Sequence, residues 1–259
     1  MNFITSNKSI TITILLAGIL LGYIYLMGTL KERTPQPRRE ETVTVTNNYT
    51  ALLGAQSLET KYLELILKDN IAELTSLNLS TGSTTTETGT YTEKSNKLTL
   101  TLVSKGETVL QKPKILEFDK VDKTLRLTNQ QESDFGPEGV IFYKPKQDLN
   151  TTNWYWEGSD YANDTKIEPT DKTKFMLTFK SDGSFESTTD CNSLSGNYYL
   201  AGDELKFGNM VSTLMFCDGS LEPEYTKDLR EIYTYIIEGT KLYLTLPLDS
   251  GTMKFSKVN

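Results

Sequence analysis

"KFMLTFKSDGSFESTTDCNSLSGNYYLAGDELKFG", Lys174 to Gly208, is the stretch on which the fold turns. It reads as a strand, an Asp182-Gly183 turn and a second strand, then two more strands around Ala201-Gly202-Asp203. Asp-Gly suits a tight hairpin because glycine accepts positive φ without steric cost. Downstream, Tyr225, Leu229, Ile232, Tyr233 and Ile236 recur at three- and four-residue spacings within Glu222 to Gly239, which predicts an amphipathic helix. Glu222 and Glu224 in its first turn favour the helix dipole. "TKLYLTLPL" and "TMKFSKV" close the region as strands. The expected fold class is mainly β, or α+β, with one helix packed on a sheet.

Working upstream, "WYW" at Trp154 to Trp156 opens this domain, and the polar run "KPKQDLNTTN" before it marks a boundary. In a strand Trp154 and Trp156 share one face and Tyr155 takes the other, so core burial is expected there. From Lys61 to Lys144, seven short runs alternate apolar and polar residues between turn signals, the period-two mark of half-buried strands. Regular short spacing points to an antiparallel sandwich or barrel over 49–145. A short helical period is expected near Leu52 to Leu63. "ITITILLAGILLGYIYLMGTL", Ile10 to Leu30, is 21 residues without a charge, long enough at about 1.5 Å per residue to cross a bilayer core. It is read as an uncleaved transmembrane anchor after a short flank, 1–9, and before a spacer, 31–48. The two domains are then 49–145 and 153–259.

Composition removes several functions. The chain has no histidine, which excludes Ser-His-Asp and Cys-His catalysis and imidazole acid–base chemistry. A net charge of −7 without a basic stripe argues against nucleic acid as a partner. No glycine-rich phosphate loop is present, and no cofactor is called for.

Several residues together carry a family resemblance. Trp154 (or Trp156), Asp182-Gly183, Cys191-Asn192, Gly196, Tyr198, Ser212-Thr213, Met215, Cys217 and Glu224 follow one another in the order found in META domains, the family of the heat-shock protein HslJ. The resemblance covers Asn153 to Asn259. Asp190 stands where that family often has glycine. The run from Thr86 through Leu127 is similar to NlpE-like envelope lipoprotein domains, which are lipocalin-like barrels, although their C-x-x-C motif is missing here. META domains are found in secreted or membrane-anchored bacterial proteins and are linked to heat shock, antibiotic resistance and motility, with no catalytic residues assigned.

Cys191 and Cys217, the only cysteines, have three readings: a disulfide, two buried thiols, or a reactive or metal-binding pair. The last lacks histidine partners and C-x-x-C spacing. A disulfide closing about 26 residues would contribute roughly 3–4 kcal/mol and would require an oxidising compartment. That places the folded part outside the cytoplasm. The Lys/Arg count flanking the apolar segment points the other way.

Remaining candidates have plain alternatives. Tyr198, Tyr199, Tyr225, Tyr233 and Tyr235 suggest a groove for a glycan or peptide, or simple packing. Asp160, Asp164, Glu168 and Asp171 are near one another but lack calcium-loop spacing; no metal site is expected. Glu222 and Glu224 suggest a carboxylate pair, or helix-start charges. The expectation is a membrane-anchored, extracytoplasmic, non-catalytic protein of the bacterial envelope, held by residues 10–30, binding an envelope component or protein and serving stress tolerance. The competing classes are a carboxylate enzyme acting on a cell-wall or glycan substrate, and a purely structural surface domain.

Overall fold

The computed structural model describes residues 46–54, 60–129, 135–136, 139–150 and 152–258. The expected flank and anchor, and nearly all of the expected spacer, lie outside these residues. Among the described residues no helix is long and apolar enough to cross a membrane.

Eight antiparallel strands close a first barrel: β1 (Asn47–Leu53), β2 (Lys61–Lys68), β3 (Ile71–Asn78), β4 (Thr84–Lys94), β5 (Lys97–Lys105), β6 (Thr108–Val121), β7 (Thr124–Leu127) and β8 (Ile141–Tyr143). Closure comes from β1 pairing β8 at Thr50↔Tyr143. Alternation explains the interior. Leu63, Leu65 and Leu67 of β2, Leu98, Leu100 and Leu102 of β5, and Leu116 and Phe118 of β6 all point inward and are buried. Each such side chain contributes about 1.5–3 kcal/mol when withdrawn from water. Of the helix expected near Leu52 to Leu63 the described ends are strands, Leu52 and Leu53 in β1 and Lys61 to Leu63 in β2, while residues 55–59 lie outside the described residues. Cross-strand pairing, Leu53↔Lys61 among others, satisfies this backbone instead. Asn47 and Asn48, assigned to the spacer from sequence, are likewise the start of β1.

The second body comprises β9 (Asn153–Tyr161), β10 (Lys166–Ile167), β11 (Met176–Phe179), β12 (Ser184–Thr188), β13 (Ser193–Ala201), β14 (Glu204–Ser212), helix α1 (Glu222–Glu231), β15 (Thr234–Glu238), β16 (Lys241–Thr245) and β17 (Gly251–Lys257). The sheet curls until β17 pairs with β9. Its weakest seam is between β14 and β15, which pair only at Glu204↔Thr234. Helix α1 packs against β14 there. Trp156, Phe175 and Tyr225 pack edge-on or tilted against one another at centroid distances of 5.0–5.4 Å in the core. Trp154 and Trp156 are both buried, on one face of β9, as alternation requires.

The helix is shorter than its sequence pattern. Tyr225, Leu229 and Ile232 are buried, but the chain becomes extended at Ile232 and Tyr233 and Ile236 leave the stripe. "TYIIE" is rich in aromatic and β-branched residues that favour strands, and it pairs with β16 from Thr234↔Thr245 to Glu238↔Lys241.

The two barrels touch. Leu52 and Ala201 are buried with Tyr62, Tyr143, Tyr199 and Tyr233 around them. Thr50 Oγ1 donates to the Leu200 carbonyl at 2.7 Å, and the rings of Tyr62 and Tyr199 lie 5.0 Å apart.

Candidate functional site

The far end of the β13–β14 hairpin is built differently. Because the strands run antiparallel with Leu194 opposite Ser212, the residues before β13 and after β14 emerge side by side. Cys191 and Cys217 are joined there, S–S 2.02 Å and Cα–Cα 5.8 Å. Of the three readings, the disulfide is the one found.

Asn192 fastens the same loop a second time. Its Oδ1 accepts from Thr213 Oγ1 at 2.7 Å and from the Met215 N–H at 2.8 Å. Its Nδ2 donates to the Met215 carbonyl at 3.0 Å. The amide thus satisfies both backbone groups of Met215, as a neighbouring strand would. Thr189 Oγ1 accepts from the N–H groups of Cys191 and Asn192, and it also lies 2.9 Å from the Glu222 carboxylate. Glu222 also accepts from Ser212 Oγ. Asp190 accepts from the Leu221 N–H at 3.0 Å and from Ser220 Oγ, fixing the return into α1. A glycine at position 190 would offer no such acceptor.

With its backbone held inward, the loop turns its side chains out. Leu214 is 98% exposed, Phe216 93% and Met215 63%. Val211, near the end of β14, is also exposed. Isolated exposed apolar residues are ordinary, but three in succession on a doubly fastened loop are not. Two hollows flank it. One of about 460 Å³ lies over β11–β14, lined by Met176, Thr178, Glu186, Thr188, Ser195 and Val211. The other, about 500 Å³, lies between the loop and α1, lined by Thr213, Met215, Glu222, Thr226 and Arg230.

Residues 147–258 match the META domain. The match covers the second body and leaves the first barrel outside it. Two solved structures are similar to this chain. One is the NMR structure of a protein from Burkholderia xenovorans, 23% identical, covering 44% of this chain and 86% of that one, TM-score 0.39. The other is the crystal structure of a duf4847 family protein from Bacteroides vulgatus, 15% identical, covering 42% and 94%, TM-score 0.35. No curated protein matches.

The META motif residues divide by physical role. Trp154 and Tyr198 pack in the core, Tyr198 donating to the Lys180 carbonyl at 2.7 Å. Asp182 accepts from the Ser184 N–H and hydroxyl, and Gly183 sits at φ 81° in the hairpin. Gly196 lies at a register shift in β13, where a Cβ would fall 2.7 Å from the Gly208 carbonyl oxygen and 2.8 Å from the Phe185 ring. Asn192, Thr213, Met215 and the two cysteines build the loop. Glu224 is exposed in the first turn of α1.

The other sequence candidates do not converge. Tyr225, Tyr235 and Tyr198 are core residues, while Tyr199 and Tyr233 face the first barrel, so no tyrosine groove forms. Asp160 is paired with Lys254 and Lys166, and the Lys254 hydrogen bond holds its carboxyl below the usual range. Asp171 accepts from Thr173 and is lowered by that bond. Among the described residues no group of three or more such side chains is placed to hold a metal ion. Glu222 and Glu224 diverge, since positions two apart on a helix face away from each other.

Sequence reasoning missed Asp228, a buried carboxylate that accepts from Ser159 Oγ at 2.8 Å and from Tyr161 OH at 2.6 Å. Burial and then the bond to Asp228 push the Tyr161 phenol well above its ordinary range. The group ties α1 to β9. Its only sequence signal was an acid falling among apolar residues at helical spacing.

Proposed function

We propose that this chain is a non-catalytic binding protein, anchored in the membrane by residues 10–30, with its folded part outside the cytoplasm. It presents the clamped loop Thr213–Cys217 to a component of the cell envelope. The observation that carries this reading is the exposure of Leu214 and Phe216 on a loop whose backbone is fixed by a disulfide and by Asn192. A fixed apolar loop loses little conformational entropy on binding, which favours recognition. Disulfides persist in oxidising compartments, which supports the location. The links of META domains to stress make tolerance assays of a deletion strain the physiological place to look for a phenotype. The carboxylate-enzyme reading would use the hollow that Glu224 and Asp228 both line, but Asp228 is already committed to Ser159 and Tyr161.

Membrane-impermeant maleimide applied to intact cells tests this. Labelling that appears only after reduction, without lysis, is the expected result. Labelling that requires lysis but no reductant would place free thiols in the cytoplasm and overturn the proposal.

A further inference from the structure

The partner of the clamped loop can be narrowed by its shape and by the length of chain before the fold. We infer that Leu214, Met215 and Phe216 insert into the bilayer that holds residues 10–30, giving the protein a second, peripheral membrane contact. This rests on the anchored reading above.

Shape is the first argument. Leu214 and Phe216 are almost wholly exposed; Leu214 and Met215 edge the shallow hollow beside α1, while Phe216 lines neither flanking hollow. A protruding pair of large apolar side chains needs a receiving medium that closes round it, and acyl chains do so without a matching pocket. At Met215 the backbone is already satisfied, because Asn192 binds both its polar groups, and Asp190 holds the return into α1 at the Leu221 N–H. Bringing the tip to the interface therefore strips no unpaired N–H or C=O at Met215, the usual obstacle to inserting a loop.

Reach is the second. Fifteen residues, Lys31 to Val45, separate the apolar segment from the first described residue, Thr46. Fully extended they span at most about 50 Å. The loop and the contact of Leu200 with the first barrel lie at opposite ends of β13, about 30 Å apart at 3.3 Å per residue. The tether is long enough to let that far end reach the same bilayer.

Charge sets the lipid. Glu222 and Glu231 line the hollow beside the loop together with Lys227 and Arg230, and Asp190 and Asp218 adjoin the two cysteines in the chain. The balance is acidic, so a neutral phosphatidylcholine surface is favoured over an anionic one.

The test uses the full chain in phosphatidylcholine nanodiscs containing brominated acyl chains. Phe216→Trp is compared with wild type, whose Trp154 and Trp156 are buried, and with Val109→Trp on the first barrel, a position 76% exposed. The expected result is a blue-shifted, bromine-quenched signal from the Phe216→Trp chain alone, lost when Leu214→Asp is added and weakened by anionic lipid. Three outcomes overturn the inference. A chain that does not enter nanodiscs removes the anchored reading as well. A chain that enters with Phe216→Trp unquenched leaves the anchor standing and removes insertion. A Phe216→Trp signal that shifts only when an envelope protein fraction is added points to a protein partner instead.

Discussion

The two ends of the β13–β14 hairpin make a controlled comparison within one molecule. At one end, Leu200 to Glu204, apolar and aromatic side chains are covered by Tyr62 and Tyr143 of the first barrel, and Thr50 closes the backbone. At the other, Ser193 and Ser212 lead into a loop held by the disulfide and by the Asn192 bonds to Thr213 and Met215, yet its apolar side chains face water. The same two strands support both. The difference teaches that a disulfide together with side-chain hydrogen bonds to Met215 can hold a loop in shape while Leu214 and Phe216 stay exposed.

The most severe way to break the clamped end is to remove its cross-link. Replacing both Cys191 and Cys217 by serine should destabilise the protein by about 3–4 kcal/mol for a loop of this length. Denaturant titration under non-reducing conditions would register it, and the gap to wild type should vanish in reductant. At the covered end, Tyr199→Ala removes a ring 5.0 Å from Tyr62. A loss of about 2 kcal/mol or more is expected from burial and the aromatic pair together. Equal stability by calorimetry would mean that the barrels do not support each other through this contact. Asn192→Ala should cost about 1–3 kcal/mol, because the Met215 N–H and carbonyl lose their partner. Faster amide exchange at Met215, without change in the first barrel, is the specific readout.

Acid should act through the turns. Hydrogen bonds from Ser184 hold Asp182 below the ordinary carboxylate range, and Asp160 and Asp171 are lowered as well. A carboxylate with a depressed folded pKa adds stability above its unfolded value, and that contribution is lost as pH falls through the folded value. Melting temperature should therefore fall from about pH 5 to pH 3, and Asp182→Asn should blunt the fall. The smallest effect belongs to the exposed tip. Leu214→Ser with Phe216→Ser should change stability by no more than about 0.5 kcal/mol. A clear destabilisation would show that the tip packs in the folded protein, and the comparison with the covered end would collapse.

Much of this architecture could be read directly from the residues. Thr84–Lys94 was delimited by turns on both sides and forms a strand with those same ends. The Asp182-Gly183 hairpin needed only the conformational freedom of glycine. The helix was legible at its start and not at its end: Tyr233 and Ile236 continue a helical spacing, and only pairing with β16 converts them to a strand. Asn192 was visible as a motif position, but its hold on Met215 spans 23 residues of sequence. Asp228 was hidden for the same reason, since its partners Ser159 and Tyr161 lie 69 and 67 residues earlier in the chain.

What the sequence determined by itself was local: alternation fixed the strands and their inward faces, glycine fixed the tight turns, and the absence of histidine removed whole classes of chemistry. Only the tertiary structure decided which strands close on which, where helix α1 stops, and which of the two hairpin ends is covered. Those choices depend on free energies of pairing and burial between residues far apart in the chain. Single-residue preferences of a kilocalorie or less cannot set them.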